Sequence, residues 1–120
     1  MPSKFGNLIS DKRKEHGISL RGMAEELGIA APYLSDIEKG RRNPPNIDML
    51  EKMAFILTLS ETEKNELFDL AGEERNEVSP DLPEYIMDIP EARTALRKAR
   101  DMGKSDEFWK TVSETLDKDN

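Results

Sequence analysis

The residues whose types and spacing could do chemistry lie together between Ala31 and Asn43. If residues 31–38 form a helix, four side chains share its outward face at a spacing that can enter the major groove of DNA: Ala31, Pro32, Ser35 and Asp36. Cationic side chains follow directly and could reach a phosphate backbone: Lys39, Arg41 and Arg42. The stretch therefore favours recognition of nucleic acid.

Two short helices that meet at a glycine would position these side chains. The apolar residues of the first helix recur at i, i+3, i+4 and i+7: Leu20, Met23, Ala24 and Leu27. Ser19 can cap this helix, and Gly28 ends it because a left-handed turn costs glycine little. Ile29 fills the corner, and Leu34 and Ile37 face inward on the second helix. The spacing predicts a helix-turn-helix motif, in which this second helix is the reading helix.

The motif resembles the lambda-repressor-like helix-turn-helix of the Xre family. Members of that family typically end the reading helix in a pattern like YLSDIEKGRRNPP, which stands here at Tyr33 to Pro45. The resemblance covers about Phe5 to Ala71. It implies an all-α fold in which residues 1–72 form a five-helix, lambda-repressor-like DNA-binding domain.

The resemblance places base reading at the start of the reading helix. Ala31, Pro32 and Ser35 occupy the positions from which repressors usually contact base edges. Ala31 and Pro32 offer only methyl and methylene groups, which suit the C5-methyl group of thymine. The hydroxyl of Tyr33 can reach a phosphate or a base edge. Asp36 can accept a hydrogen bond from cytosine N4, or it can be solvated or ion-paired, and the sequence leaves both open.

Phosphate contacts are expected before and after the reading helix. The residues predicted to make them are Ser19, Arg21, Lys39, Arg41, Arg42 and Asn43. The first two lie where the resemblance brings the preceding helix to the DNA backbone, and the other four follow the end of the reading helix. The alternative is a loop that is basic only for solubility.

The first predicted helix, about Phe5 to Glu15, carries an arginine on its apolar stripe. An unpaired buried charge is expensive, so Arg13 needs a partner. In the related domains an arginine at this place meets a glutamate at the end of the reading helix. The resemblance therefore implies a structural ion pair between Arg13 and Glu38, whereas the alternative is two independent surface charges.

Two more helices complete the predicted domain. The fourth begins at Asn46 or Ile47, and Ser60 and Glu63 match a capping box for a fifth helix over about residues 61–71. Residues 73–81 show no sustained apolar periodicity and are predicted to be a linker. The domain predicted for residues 1–72 thus ends near Gly72.

Residues 82–120 are predicted to form a small acidic helical extension. Residues 58–120 hold nine Lys and Arg against seventeen Asp and Glu, whereas residues 1–57 hold nine against eight. The net charge of −7 therefore belongs to the C-terminal half and does not exclude DNA binding by the first half. Ser105 can cap a last helix with Phe108 and Trp109 on its apolar stripe. The extension should pack on the first domain, on its own copy or on another protein.

Composition argues against several other classes of protein. The absence of cysteine excludes disulfides, and the lone His16 cannot assemble a zinc site without carboxylates, so we expect no metal and no cofactor. No histidine base stands beside a serine, and there is no glycine-rich phosphate loop, so we expect no enzyme. No apolar run approaches the ~20 residues of a membrane span, so we expect no membrane contact and a cytoplasmic location.

Two functions agree with these features. The first is a sequence-specific transcriptional regulator, most simply a repressor, that binds an inverted-repeat operator in double-stranded DNA as a homodimer. The second is an antitoxin-like or protease-responsive interaction protein, whose acidic helical tail binds a partner protein and whose DNA binding is autoregulatory. They differ in the role of the extension, which either dimerises or binds the partner.

Overall fold

A computed structural model describes residues 3–119, and all regular secondary structure within them is helical. The fold class is therefore all-α, as predicted. The helices are α1 (Lys4–Glu15), α2 (Leu20–Leu27), α3 (Ala31–Glu38), α4 (Ile47–Ile56), α5 (Glu61–Arg75), α6 (Leu82–Met87), α7 (Pro90–Asp101) and α8 (Asp106–Lys118). Among the described residues, no helix is both long enough and apolar enough to cross a bilayer.

Side-chain caps fix where the helices of the first half begin. The hydroxyl oxygen of Ser3 accepts a hydrogen bond from the backbone N–H of Gly6 at 2.9 Å, and the side chain of Asn46 accepts from Met49 at 3.0 Å. Ser60 and Glu63 form the predicted capping box, with both reciprocal bonds present. Each cap satisfies a backbone donor that the helix itself leaves free.

Helices α1 to α5 enclose one apolar core. Its buried members are Phe5, Ile9, Met23, Ala24, Leu27, Leu34, Ile37, Leu50, Met53, Ala54, Leu57, Leu67, Phe68 and Ala71. At one point α1 touches the backbone of α3 directly, because an added Cβ at Gly6 would lie 2.6 Å from the carbonyl carbon of Glu38. Only glycine fits there, and this contact fixes the distance between α1 and the end of the reading helix.

Helix α5 is longer than predicted. It continues past Gly72 through three good helix formers to Arg75 and ends at Asn76, which has a left-handed φ of 59°. The chain then folds back, so that the N–H of Glu77 donates to the carbonyl of Gly72 at 2.8 Å and the hydroxyl of Ser79 donates to Asp69. The stretch predicted as a linker, residues 73–81, is therefore partly helical and partly packed on α5.

The chain divides after Pro83 into two compact units. The second unit contains α7 and α8, and large apolar side chains remain exposed on it: Leu96, Met102, Phe108, Trp109 and Leu116. The rings of Phe108 and Trp109 meet edge to face, with centroids 5.0 Å apart. Ser105 is the N-cap residue of α8, as predicted, but its side chain makes no capping hydrogen bond to the helix.

Candidate nucleic-acid interface

The turn between α2 and α3 is built on a left-handed glycine. Gly28 has φ 72° and ψ 31°, which L side chains rarely adopt. The N–H groups of Gly28 and Ile29 donate back to the carbonyls of Glu25 and Ala24, at 3.1 and 3.0 Å. These bonds close the end of α2 and let α3 begin two residues later, so they set the angle between the two helices.

Helix α3 buries one side and leaves the other open. Leu34 and Ile37 are fully buried, which pins the inner face to the core. On the outer face Pro32 is exposed and Ser35 and Asp36 are half-buried, while Ala31 and Tyr33 lie at its edge, half-buried and packed partly against the core. Ala30 provides no side-chain cap, and a proline in the first turn has the φ that a helix start needs. The five predicted base-reading side chains thus lie on one short helix and reach solvent.

The structure brings the predicted partners Arg13 and Glu38 together. Arg13 Nε donates to Glu38 Oε2 at 2.9 Å, Nη2 donates to Oε1 at 3.0 Å, and Nη1 donates to the carbonyl of Ile18 at 3.0 Å. The side chains of Arg13 and Glu38 are only 11% and 8% exposed. The hydrogen bonds to Glu38 raise the pKa of Arg13. This bidentate pair ties α1 to the end of the reading helix.

The segment Lys39–Asn46, which we call the α3–α4 loop, carries the four predicted phosphate contacts that follow the end of α3. The side chains of Lys39, Arg41, Arg42 and Asn43 are all exposed. Arg41 Nη1 lies 3.6 Å from Asp36 Oδ1, and the guanidinium of Arg42 lies over the ring of Tyr33, 5.6 Å from its centroid. Asp36 therefore has a cationic neighbour, and two of the loop cations are held against the reading helix.

The other two residues predicted to contact phosphate lie at the start of α2. Ser19 is exposed, and its hydroxyl oxygen accepts from the N–H of Gly22 at 2.9 Å, which leaves its O–H free to donate. Arg21 is exposed in the first turn of α2. Phosphate ligands are favourable at such a helix start, because its free N–H groups point outward.

Sequence reasoning missed the contribution of α1 to this surface. A groove of about 730 Å³ runs between α1 and the end of α3, and Asn7, Ser10 and Lys14 line it opposite Ser35 and Lys39. Asn7, Ser10 and Lys14 recur at helical spacing, so the pattern was visible in the sequence. Their nearness to the reading helix was not, because it depends on the close contact at Gly6.

Other ligand chemistry finds little support in the described residues. Across residues 3–119, no three side chains of the His, Cys, Asp or Glu types come together as metal ligands. The ring of His16 faces an oxygen, with Nε2 lying 3.3 Å from Thr58 Oγ1.

Comparisons with known proteins found a matching family model and several similar proteins. The family model HTH_3, described as Helix-turn-helix, matches residues 9–63. The HTH-type transcriptional regulator SinR of Bacillus subtilis (strain 168) is 44% identical over 56 residues, which make up 47% of this chain and 50% of SinR. The ImmF control region 10 kDa protein of Bacillus phage phi105 is 45% identical over 56 residues, 47% of this chain and 61% of that protein.

One similar solved structure is that of SinR, the master regulator for biofilm formation, in complex with DNA. The aligned residues of the two chains share 41% sequence identity. The alignment covers 48% of this chain and 95% of that chain, with a TM-score of 0.44. The chain spans about half the length of the curated SinR sequence that it matches.

Proposed function

We propose, from the premise that residues 9–63 are a helix-turn-helix domain of the lambda-repressor-like type, that this chain is a sequence-specific DNA-binding transcriptional regulator. The observation that carries the proposal is the open outer face of α3, flanked on both sides by exposed cationic side chains. A face of this size fits a major groove. With α3 in the groove, the flanking cations would lie near the sugar-phosphate backbones on either side of it.

The chemistry of the outer face suggests what it reads. Ala31 and Pro32 present carbon atoms, which discriminate thymine by its methyl group, and the hydroxyl of Ser35 both donates and accepts. Asp36 lies near Arg41, so its carboxylate is partly neutralised before it approaches DNA. We therefore expect a preference for thymine opposite the first turn of α3 and a permissive contact at Ser35.

One reading helix spans too few base pairs for strong specificity. We propose a homodimer that places two copies of α3 in successive major grooves, about 34 Å apart, on an inverted repeat. A bound dimer would block access to a promoter, so repression is the simplest outcome. Because its ligand is DNA, we place the protein in the cytoplasm.

Selection of bound sites from a random duplex library tests the proposal directly. We expect enriched sites with two half-sites in inverted orientation, and we expect a thymine at a fixed place in each. Replacing that thymine with deoxyuridine removes only the methyl group, so affinity should fall if Ala31 and Pro32 read it. A library with no enriched sequence in dilute salt would contradict the proposal.

A second candidate function concerns the second unit. Its exposed apolar side chains, among them Leu96 and Leu116, lie on short helices, and the unit is only weakly acidic, with nine Asp and Glu against seven Lys and Arg in residues 84–120. Such an apolar surface favours a protein neighbour, either a second copy or a different partner protein. In the second case the chain would be an antitoxin-like or protease-responsive protein with autoregulatory DNA binding.

Truncation after Pro83 separates the two roles, because it leaves α1 to α5 whole. If the second unit dimerises, affinity for a two-half-site duplex should fall by about 10²-fold or more, since linked binding of the second half-site is lost. If it serves only a partner, affinity should change little. Sedimentation of the full chain and of the truncated chain measures the mass of each in solution and so shows whether the second unit is needed for the dimer.

A further inference from the structure

Arg75, the last residue of α5, reaches back to the α3–α4 loop. Its Nε lies 3.1 Å and its Nη2 lies 2.6 Å from the carbonyl oxygen of Pro44, and both donate to it. Arg75 lies outside residues 9–63, the part of the chain that the family model matches. The contact therefore comes from a part of α5 to which the motif assigns no role.

The loop has few other restraints at this point. Within residues 3–119, no backbone-to-backbone hydrogen bond joins residues 42–45 to any other residue. Pro44 and Pro45 have no N–H to donate, which lowers the number of bonds the loop can make. The ring of Pro44 is fully buried, and the two bonds from Arg75 add a hydrogen-bonded restraint on the backbone carbonyl beside it.

The carbonyl of Pro44 lies next to the exposed residues Arg42 and Asn43 of the loop. Arg75, Arg42, Asn43 and Tyr33 line one cleft of about 440 Å³. The guanidinium of Arg42 in turn lies over the ring of Tyr33 on the reading helix. A chain of contacts thus runs from the end of α5 through Pro44 to the cations beside the reading face.

We propose that Arg75 is a positioning residue for DNA binding: it fixes the backbone at Pro44 so that Arg42 and Asn43 are already oriented toward phosphate before DNA arrives. The inference rests on the proposed function. Its physical basis is preorganisation, because a loop ordered in advance loses less conformational entropy on binding. Arg75 need not touch the DNA itself.

Two measurements on the full chain test this role. In the free protein, ¹⁵N relaxation should report rigid amides at Arg42 and Asn43, with order parameters of about 0.85, which fall below about 0.6 in Arg75→Ala. Binding to a duplex from the selected library should weaken roughly fivefold in Arg75→Ala, because a loop that is no longer ordered in advance must lose its conformational freedom on binding. The slope of log affinity against log salt should stay unchanged, since no phosphate contact is removed.

Matched variants make the result specific. Lys52→Ala removes one positive charge from an exposed residue of α4 and should bind as the unchanged protein does. In an Arg42→Ala background, Arg75→Ala should cost much less than it costs alone, because the residue it positions is gone.

Several results would overturn the inference. Unchanged order parameters in Arg75→Ala would show that the loop is not braced. A salt slope reduced by about one would make Arg75 a phosphate ligand rather than a positioning residue. Equal costs in both backgrounds would remove the link to Arg42. A chain that binds no duplex would refute the proposed function, while the relaxation experiment would still decide whether Arg75 orders the loop.

Discussion

Replacing Glu38 with alanine should destabilise the first unit strongly, because it leaves Arg13 charged and nearly buried. Removing one partner of a buried ion pair typically costs about 3–5 kcal/mol. Here Arg13 keeps its hydrogen bond to the carbonyl of Ile18 and lines the groove of about 730 Å³ beside α3, where water can approach it. The lower end of the range applies, and we expect a loss of about 3 kcal/mol in the free energy of unfolding.

Thermal unfolding followed by far-UV circular dichroism measures this loss. At about 4 °C per kcal/mol or more for a unit of this size, the midpoint should fall by roughly 12 °C or more. Trp109, the one tryptophan, lies in the second unit, and its fluorescence reports that unit separately. Glu26→Ala, on an exposed position of α2, removes the same charge and should change the midpoint by little.

A double replacement checks the cause. Changing Arg13 to Met and Glu38 to Leu together removes both charges and keeps apolar volume, so the free energy of unfolding should return to within about 1 kcal/mol of the original. The reasoning would be refuted if Glu38→Ala cost less than about 1 kcal/mol, or if the double replacement were as unstable as Glu38→Ala.

Three further predictions concern the contacts around the site. Gly6→Ala should lower the free energy of unfolding by about 2 kcal/mol or more in urea titration, because the new methyl group meets the backbone at the end of α3; full stability would show that α1 can move away. The hydrogen bond from Lys12, and those with Ser60, lower the pKa of Glu63 from 4.5 to about 2, so its stabilising effect is present above pH 4.5 and is lost as the pH falls toward 2. Glu63→Gln should therefore flatten the dependence of stability on pH in that window. If the free energy of unfolding of Glu63→Gln fell as steeply between pH 4.5 and 2 as that of the original protein, the prediction would be contradicted. Arg42→Ala should weaken binding to all duplexes and reduce the salt slope by about one, whereas an unaltered slope would remove Arg42 from the phosphate contacts.

Much of the first unit could be predicted from local sequence. The apolar spacing from Leu20 to Leu27, the glycine at position 28 and the capping box at Ser60 each act within one or two turns of helix, so the chain itself carries the information. The pairing of Arg13 with Glu38 required more, since the two residues lie 25 positions apart. The family resemblance, together with the cost of a buried charge, supplied that link.

The contacts that were not predicted depend on distances between helices. The spacing of apolar residues along the sequence does not determine those distances. Gly6 was not singled out because nothing local marks where α1 meets α3. Gly72 was interpreted as the end of a helix, yet it is the place where the returning backbone packs, with Ser79 N lying 2.9 Å from where a Cβ would stand. The good helix formers that follow Gly72 could have indicated that α5 continues.

The most direct test of the account is an NMR titration of the ¹⁵N-labelled chain with a duplex from the selected library in dilute salt. We predict that the amide shifts concentrate at the start of α2, on the outer face of α3 and in the α3–α4 loop, and that added salt reverses them. Absence of binding in dilute salt, or shifts confined to α7 and α8, would contradict the claim that α3 reads DNA.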